Sequence, residues 1–138
     1  MSDQVEALVH RFPNVIAWVD GHTHDNVITP MPDPSGLTAG FWDIGTAAHI
    51  DWTSQSWIVE IAHRTDGALS IICSMVDHAS HPDPGGLVGL ARLASINREL
   101  CANDPQYGFD SKGPGQPSDR NVELFLPAPA WVSALAVL

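Results

Sequence analysis

Five consecutive apolar residues, Val15, Ile16, Ala17, Trp18 and Val19, run directly into Asp20-Gly21-His22-Thr23-His24. A short, partly β-branched run of this kind reads as a strand buried on both faces. Asp20-Gly21 reads as the turn that ends it. Any fold of this chain must therefore cover that strand while leaving its C-terminal tip, with two imidazoles, accessible. At i, i+2 spacing in extended backbone the two side chains leave on the same side, with Thr23 opposite. Gly21 permits a sharp bend and a close approach of backbone to whatever the histidines hold. Imidazole is the commonest protein metal ligand. His22 and His24 are thus read as metal ligands whose partners must come from elsewhere.

The flanking sequence supplies layers to cover such a strand. Ser2 can cap a helix with Asp3 and Glu6 in its first turn and Val5, Leu8, Val9 and Phe12 as its apolar stripe. Pro13 stops it, so the chain opens helix, strand, histidine turn, a half-unit of an α/β fold. Residues 25–38 hold Pro30, Pro32 and Pro34 and read as a loop. Residues 40–50 read as a second strand, with Gly45 marking a bulge or a close approach. After a turn at 51–55, the alternation of Trp57, Val59 and Ile61 predicts a third strand over 57–64. Asp66-Gly67 is a hairpin signal. Leu69, Ile71, Cys73 and Met75 then line one face of a fourth strand over 68–76, completing an antiparallel meander.

Residues 77–86 form a loop, and 87–102 are the best helix pattern, with Leu90, Ala91, Ala94 and Cys101 on one face and Leu93 and Leu100 flanking it. Asn103-Asp104-Pro105 ends that helix. Residues 106–120 are rich in Gly, Pro, Ser and Asp and predict poor order; 122–126 can add a short edge strand. The fold class expected is α/β (α+β), a mixed or antiparallel sheet with flanking helices. Residues 1–105 form the structured part and 106–138 a partly disordered tail.

Composition narrows the partners. The 138 residues are 44% hydrophobic with five Trp, enough for one domain or part of one. The net charge is −10, with Lys112 the only lysine; no nucleic-acid backbone binding is expected from that balance. Cys73 and Cys101 lack CxxC spacing and read as two buried thiols rather than a disulfide framework. The first residues carry neither a basic nor an apolar signal region, and no stretch, including the apolar 131–138, is long enough to span a bilayer. No membrane association is expected, and the compartment is not legible.

A strand followed by Gly21-His22-Thr23-His24 resembles the last metal-binding motif of the calcineurin-like metallophosphoesterases. The Thr46-Ala47-Ala48-His49-Ile50-Asp51-Trp52 stretch resembles one bacterial branch of that superfamily. Asn103-Asp104-Pro105-Gln106 and Asp119-Arg120-Asn121-Val122-Glu123-Leu124 fit the same branch. The resemblance implies an αββα sandwich with a binuclear metal centre that hydrolyses phosphate esters. It implies that His22 ligates one ion and His24 its neighbour, the ions being Mn, Fe, Zn or Co. The family's earlier motifs have no counterpart here. There is no Gly-Asp dipeptide and no Asn-His pair, and Asp20-Gly21-His22 overlaps the final motif. Relatives carry Pro and Arg where Thr53 and Trp57 stand, and Asn where Asp20 stands. The chain thus reads as a C-terminal portion, without the bridging carboxylate and the catalytic His, and is expected to be inactive alone.

Other candidates are weaker. His49 and Asp51 can touch substrate or orient a ligand histidine, or form a capped turn with Asp51 bonding backbone. His78 and His81 have a spacing compatible with a separate zinc site, but no Cys joins them, and a solvated loop is the plainer reading. His10 and His63 read as structural or exposed. Two functions remain open: part of a phosphoesterase, whose partner is a phosphate-ester substrate, or a non-catalytic fragment serving as a small metal-binding or interaction module. Loss of half a sandwich would leave apolar sheet exposed, predicting self-association or pairing with a missing N-terminal half.

Overall fold

The computed structural model describes residues 1–109 and 112–135. In order these form α1 (Asp3–Val9), β1 (Ala17–His24), β2 (Val27–Met31), β3 (Phe41–Ala47), β4 (Ser56–His63), β5 (Ala68–Val76), α2 (Gly89–Ala102), a 3-10 turn (Pro117–Asp119), β6 (Val122–Pro127) and α3 (Ala130–Leu135). The chain is mixed α/β, with two three-stranded sheets and few helices. One sheet has the order β1-β3-β2, with β1 parallel and β2 antiparallel to β3. The other has the order β4-β5-β6 and is antiparallel throughout.

The two sheets share a core. Ile44 of β3, Ile71 and Cys73 of β5 and Leu124 of β6 are buried together, and Ala17, Ile28, Trp42, Trp57, Val59 and Val122 pack against them. All six strands therefore contribute to one interior. Trp42 ties the layers by donating from Nε1 to the Phe125 carbonyl across 3.1 Å. β5 follows the alternation in its sequence, with Leu69, Ile71 and Cys73 almost fully buried. The Asp66-Gly67 turn closes the β4–β5 hairpin: the Arg64 guanidinium Nη2 donates to Asp66 Oδ2 and the Arg64 backbone N–H to the Ala68 carbonyl, each at 2.9 Å. Burial of each such aliphatic side chain is worth roughly 1.5–3 kcal/mol. Cys73 and Cys101 are free, buried thiols, as their spacing predicts.

Several expectations are corrected. The run at 15–19 is not buried on both faces: β1 is an edge strand bonded only to β3, with Trp18 39% and Val19 54% exposed. Nor does the strand stop at Asp20-Gly21; it continues to His24, with an irregularity in the ladder between Asp20 and His24. A Cβ on Gly21 would lie 2.9 Å from Thr46 Oγ1, so glycine lets β1 hug β3 there. The proline-rich stretch contains β2, because β2 is also an edge strand, where Pro30 is tolerated. β3 and β4 lie in different sheets, so residues 48–55 cross between layers and there is no continuous meander.

The stretch 106–120 is not loose where it is described. Trp52 N–H donates to the Tyr107 carbonyl at 3.1 Å, Asn26 N–H to the Gly113 carbonyl at 3.1 Å, and Ile28 N–H to Asp119 Oδ1 at 3.1 Å. Residues 110, 111 and 136–138 of the expected tail lie outside the described residues. β6 is the edge strand its sequence predicts. Among the described residues no helix is long and apolar enough to cross a membrane.

Candidate metal centre

His24 closes β1, and its backbone is left-handed, with φ 61°. That conformation is uncommon for a side chain bearing a Cβ, and in folded proteins it concentrates at functional positions. It also ends the extended geometry on which the same-side argument for His22 and His24 rests. The two histidines consequently differ in setting: His22 is exposed, while His24 is half-buried and held.

What holds His24 is Asp51. Asp51 Oδ2 sits against His24 Nδ1 in a hydrogen bond, and Asp51 is buried. Neutral imidazole carries one N–H and one bare nitrogen. With Nδ1–H donated to Asp51, Nε2 is the acceptor and the ring is fixed in one orientation, the arrangement that metal-ligating histidines use. The Tyr107 ring packs against that of His24, tilted, with 5.6 Å between centroids. Asp51 is delivered by the crossover between the sheets, where Ser54 N–H and Oγ both donate to the Asp51 carbonyl, at 2.8 and 3.2 Å. Ser54 Oγ also meets Cys101 Sγ, which itself donates to the Ile50 carbonyl at 3.0 Å, anchoring the crossover to α2. The stretches that carry the resemblance, 46–52 and 103–106, thus converge on His24 through Asp51 and the turn that leads to Tyr107.

Asn26, two residues beyond His24, fixes this geometry. It is fully buried. Its Oδ1 accepts from Ala47 N–H and from Trp57 Nε1, each at 2.9 Å, and its Nδ2 donates to Gln55 Oε1 at 2.9 Å. One amide therefore ties the end of β1 to β3, β4 and the crossover carrying Asp51. Sequence reasoning missed Asn26 and Tyr107, because an isolated buried amide or ring leaves no periodicity to detect; adjacency to the histidine motif is the signal for Asn26, and Tyr107 has none.

The other candidates fall elsewhere. His49 does not join His24; its Nε2 meets Ser56 Oγ at 2.5 Å. His78 Nδ1 accepts from Ser80 N–H at 3.2 Å, and the His81 carbonyl accepts from Ser95 Oγ at 2.5 Å. His63 is exposed. His10 is packed, its ring 5.1 Å from that of Phe41 and both ring nitrogens without a hydrogen-bond partner. Thr53 is buried, and Trp57 spends its indole N–H on Asn26. A further group the sequence did not flag is Asp43 of β3. Burial, and then the charge of Asp20 on neighbouring β1, raise its carboxyl above the usual range, while the terminal amine opposes them. Among the described residues no group of three or more His, Cys, Asp or Glu side chains is placed to hold a metal ion.

The chain matches no family model, no curated protein and no solved structure.

Proposed function

We propose that the chain is part of a metal-dependent phosphoesterase of the calcineurin-like kind and carries the segment that presents His22 and His24 to a pair of divalent ions. The observation that supports this reading is the buried Asp51 carboxylate on His24 Nδ1, which leaves Nε2 as the outward donor. Asp51 sets the tautomer and aim of the ring, and Tyr107 limits its swing. His22, exposed on the same strand, supplies a second imidazole. Two nitrogen donors suit Mn, Fe, Zn or Co and make an open site that needs further ligands. A bound metal pair supplies Lewis-acid polarisation and charge neutralisation to a phosphate ester. With no Gly-Asp and no Asn-His in its sequence, the chain alone is expected to turn over no substrate.

The second reading, a non-catalytic metal-binding or interaction module, draws on the absence of any third ligand beside His24 among the described residues. Calorimetry with inorganic phosphate separates the two. The phosphoesterase reading expects phosphate to bind only when Mn or Zn is present, and not to the His22→Ala, His24→Ala variant. Metal binding without any metal-dependent phosphate binding favours the module. Phosphate binding indifferent to metal and to both histidines contradicts the assignment.

A further inference from the structure

Immediately past His24 the chain borders a cavity of about 430 Å³, lined from the β1–β2 turn by Asp25 and Asn26 and from the later segment by Lys112, Gly115, Gln116 and Asp119. Neither His22 nor His24 lines it. Its two sides are pinned together. Asn26 N–H donates to the Gly113 carbonyl at 3.1 Å, and Gly115 N–H closes a turn onto the Lys112 carbonyl at 2.9 Å. Gly115 is left-handed, with φ 65°, and a Cβ there would fall 2.3 Å from the Asn26 carbonyl oxygen. Asp119 accepts Ile28 N–H on Oδ1 at 3.1 Å and Gln116 N–H on Oδ2 at 2.9 Å. The cavity is thus formed before any ligand arrives, which lowers the ordering cost of binding. Its volume falls in the range of small-molecule sites, roughly 300–1,000 Å³.

The charges choose the ligand. Lys112, the only lysine of the chain, and Asp25 both line the cavity, and neither is in an ion pair among the described residues, with each other or with anything else. The Asp119 charge is offset by the two backbone N–H groups it accepts. A simple anion would pair with Lys112 but face the Asp25 carboxylate. A simple cation would pair with Asp25 but face the Lys112 ammonium. A molecule carrying both charges pairs with both residues through charge-assisted hydrogen bonds. We infer that this cavity binds a small zwitterion, its primary ammonium on Asp25 and its acid group, a carboxylate or a phosphate, on Lys112.

Titration of the full chain, followed through the backbone amide resonances of Gly115 and Gln116, tests this. A chelator is present throughout, so the outcome is independent of any metal at the histidines. The probes are γ-aminobutyrate and phosphoethanolamine. The controls, butylamine, butanoate and inorganic phosphate, carry one kind of charge only. The expected result is saturation by at least one zwitterion with a Kd of about 1 mM, at least about tenfold tighter than every control. The tighter zwitterion identifies the acid group as carboxylate or phosphate. Lys112→Gln and Asp25→Asn, which break no ion pair of the fold, should each weaken binding about tenfold or more. Saturation by neither zwitterion up to about 50 mM overturns the inference. So does a control that binds as tightly as the zwitterions, or binding that either substitution leaves unchanged.

Discussion

Asp51 is the residue on which the candidate centre turns, since it converts an exposed-strand histidine into an aimed donor. Replacing it with Asn keeps the shape but removes the charge that strengthens the ring as a ligand. Affinity for Mn or Zn should fall about 10–100-fold, with the far-ultraviolet spectrum unchanged; an unaltered affinity would mean that Asp51 serves only the turn. Asn26 is predicted to matter to stability instead. Asn26→Ala leaves Ala47 N–H, Trp57 Nε1 and Gln55 Oε1 without their partner. At about 1–3 kcal/mol per buried unsatisfied group, the three together predict a loss of about 3 kcal/mol or more in urea unfolding. A loss below about 1 kcal/mol would show that water replaces the amide freely. Asp43 acts through pH. Its carboxyl, raised by burial and by Asp20, holds a proton more tightly folded than unfolded. Stability therefore falls as pH rises from the ordinary carboxylate value of 3.8 through the raised one, and the full penalty stands at neutral pH. Asp43→Asn should accordingly melt above the parent chain at pH 7, the gap closing in acid below 3.8. A gap independent of pH would assign the effect to packing.

At the scale of elements, patterns of period two were legible and the layering was not. β5 and its hairpin follow directly from Leu69, Ile71, Cys73 and Asp66-Gly67, because those three side chains share the face turned to the core. β1 misleads because an unbroken apolar run does not reveal how many neighbours its strand has; here β3 is the only one. α2 misleads for the opposite reason, its periodicity being genuine but its leucine side facing outward. The segment 106–120 has a loop composition, yet long-range backbone hydrogen bonds dock it, and those cannot be read from composition. Of the centre, His22, His24 and Asp51 were visible as residue types, whereas the pairing of Asp51 with His24 across the crossover required the fold. Docking of the segment is open to test at Gly113, where a Cβ would fall 2.3 Å from the Trp52 carbonyl oxygen. Gly113→Ala should cost about 1–3 kcal/mol and weaken metal binding by disturbing the crossover that carries Asp51. An alanine variant as stable as the parent would show that the segment does not brace the site.

For the molecule as a whole, each sheet has two edge strands, and all four expose apolar side chains: Trp18 and Val19 on β1, Val27 on β2, Ile58 and Ile61 on β4, and Phe125 on β6. Such edges invite pairing with another strand. We propose that these edges are covered in the working assembly, by a second copy of the chain or by the rest of the proposed phosphoesterase. The isolated chain should then be marginally stable; a monodisperse monomer melting sharply above about 65 °C, the upper end for ordinary mesophile domains, would show that it closes its own surface. The central claim, however, is that the tip of β1 is a metal-presenting edge. Calorimetric titration of Mn or Zn into the chain and into its His22→Ala, His24→Ala variant tests it most directly. The account predicts weak binding by the parent, releasing protons and fading as the solution is acidified because imidazole must be neutral to ligate, with no binding by the variant. Equal binding by the two would contradict it.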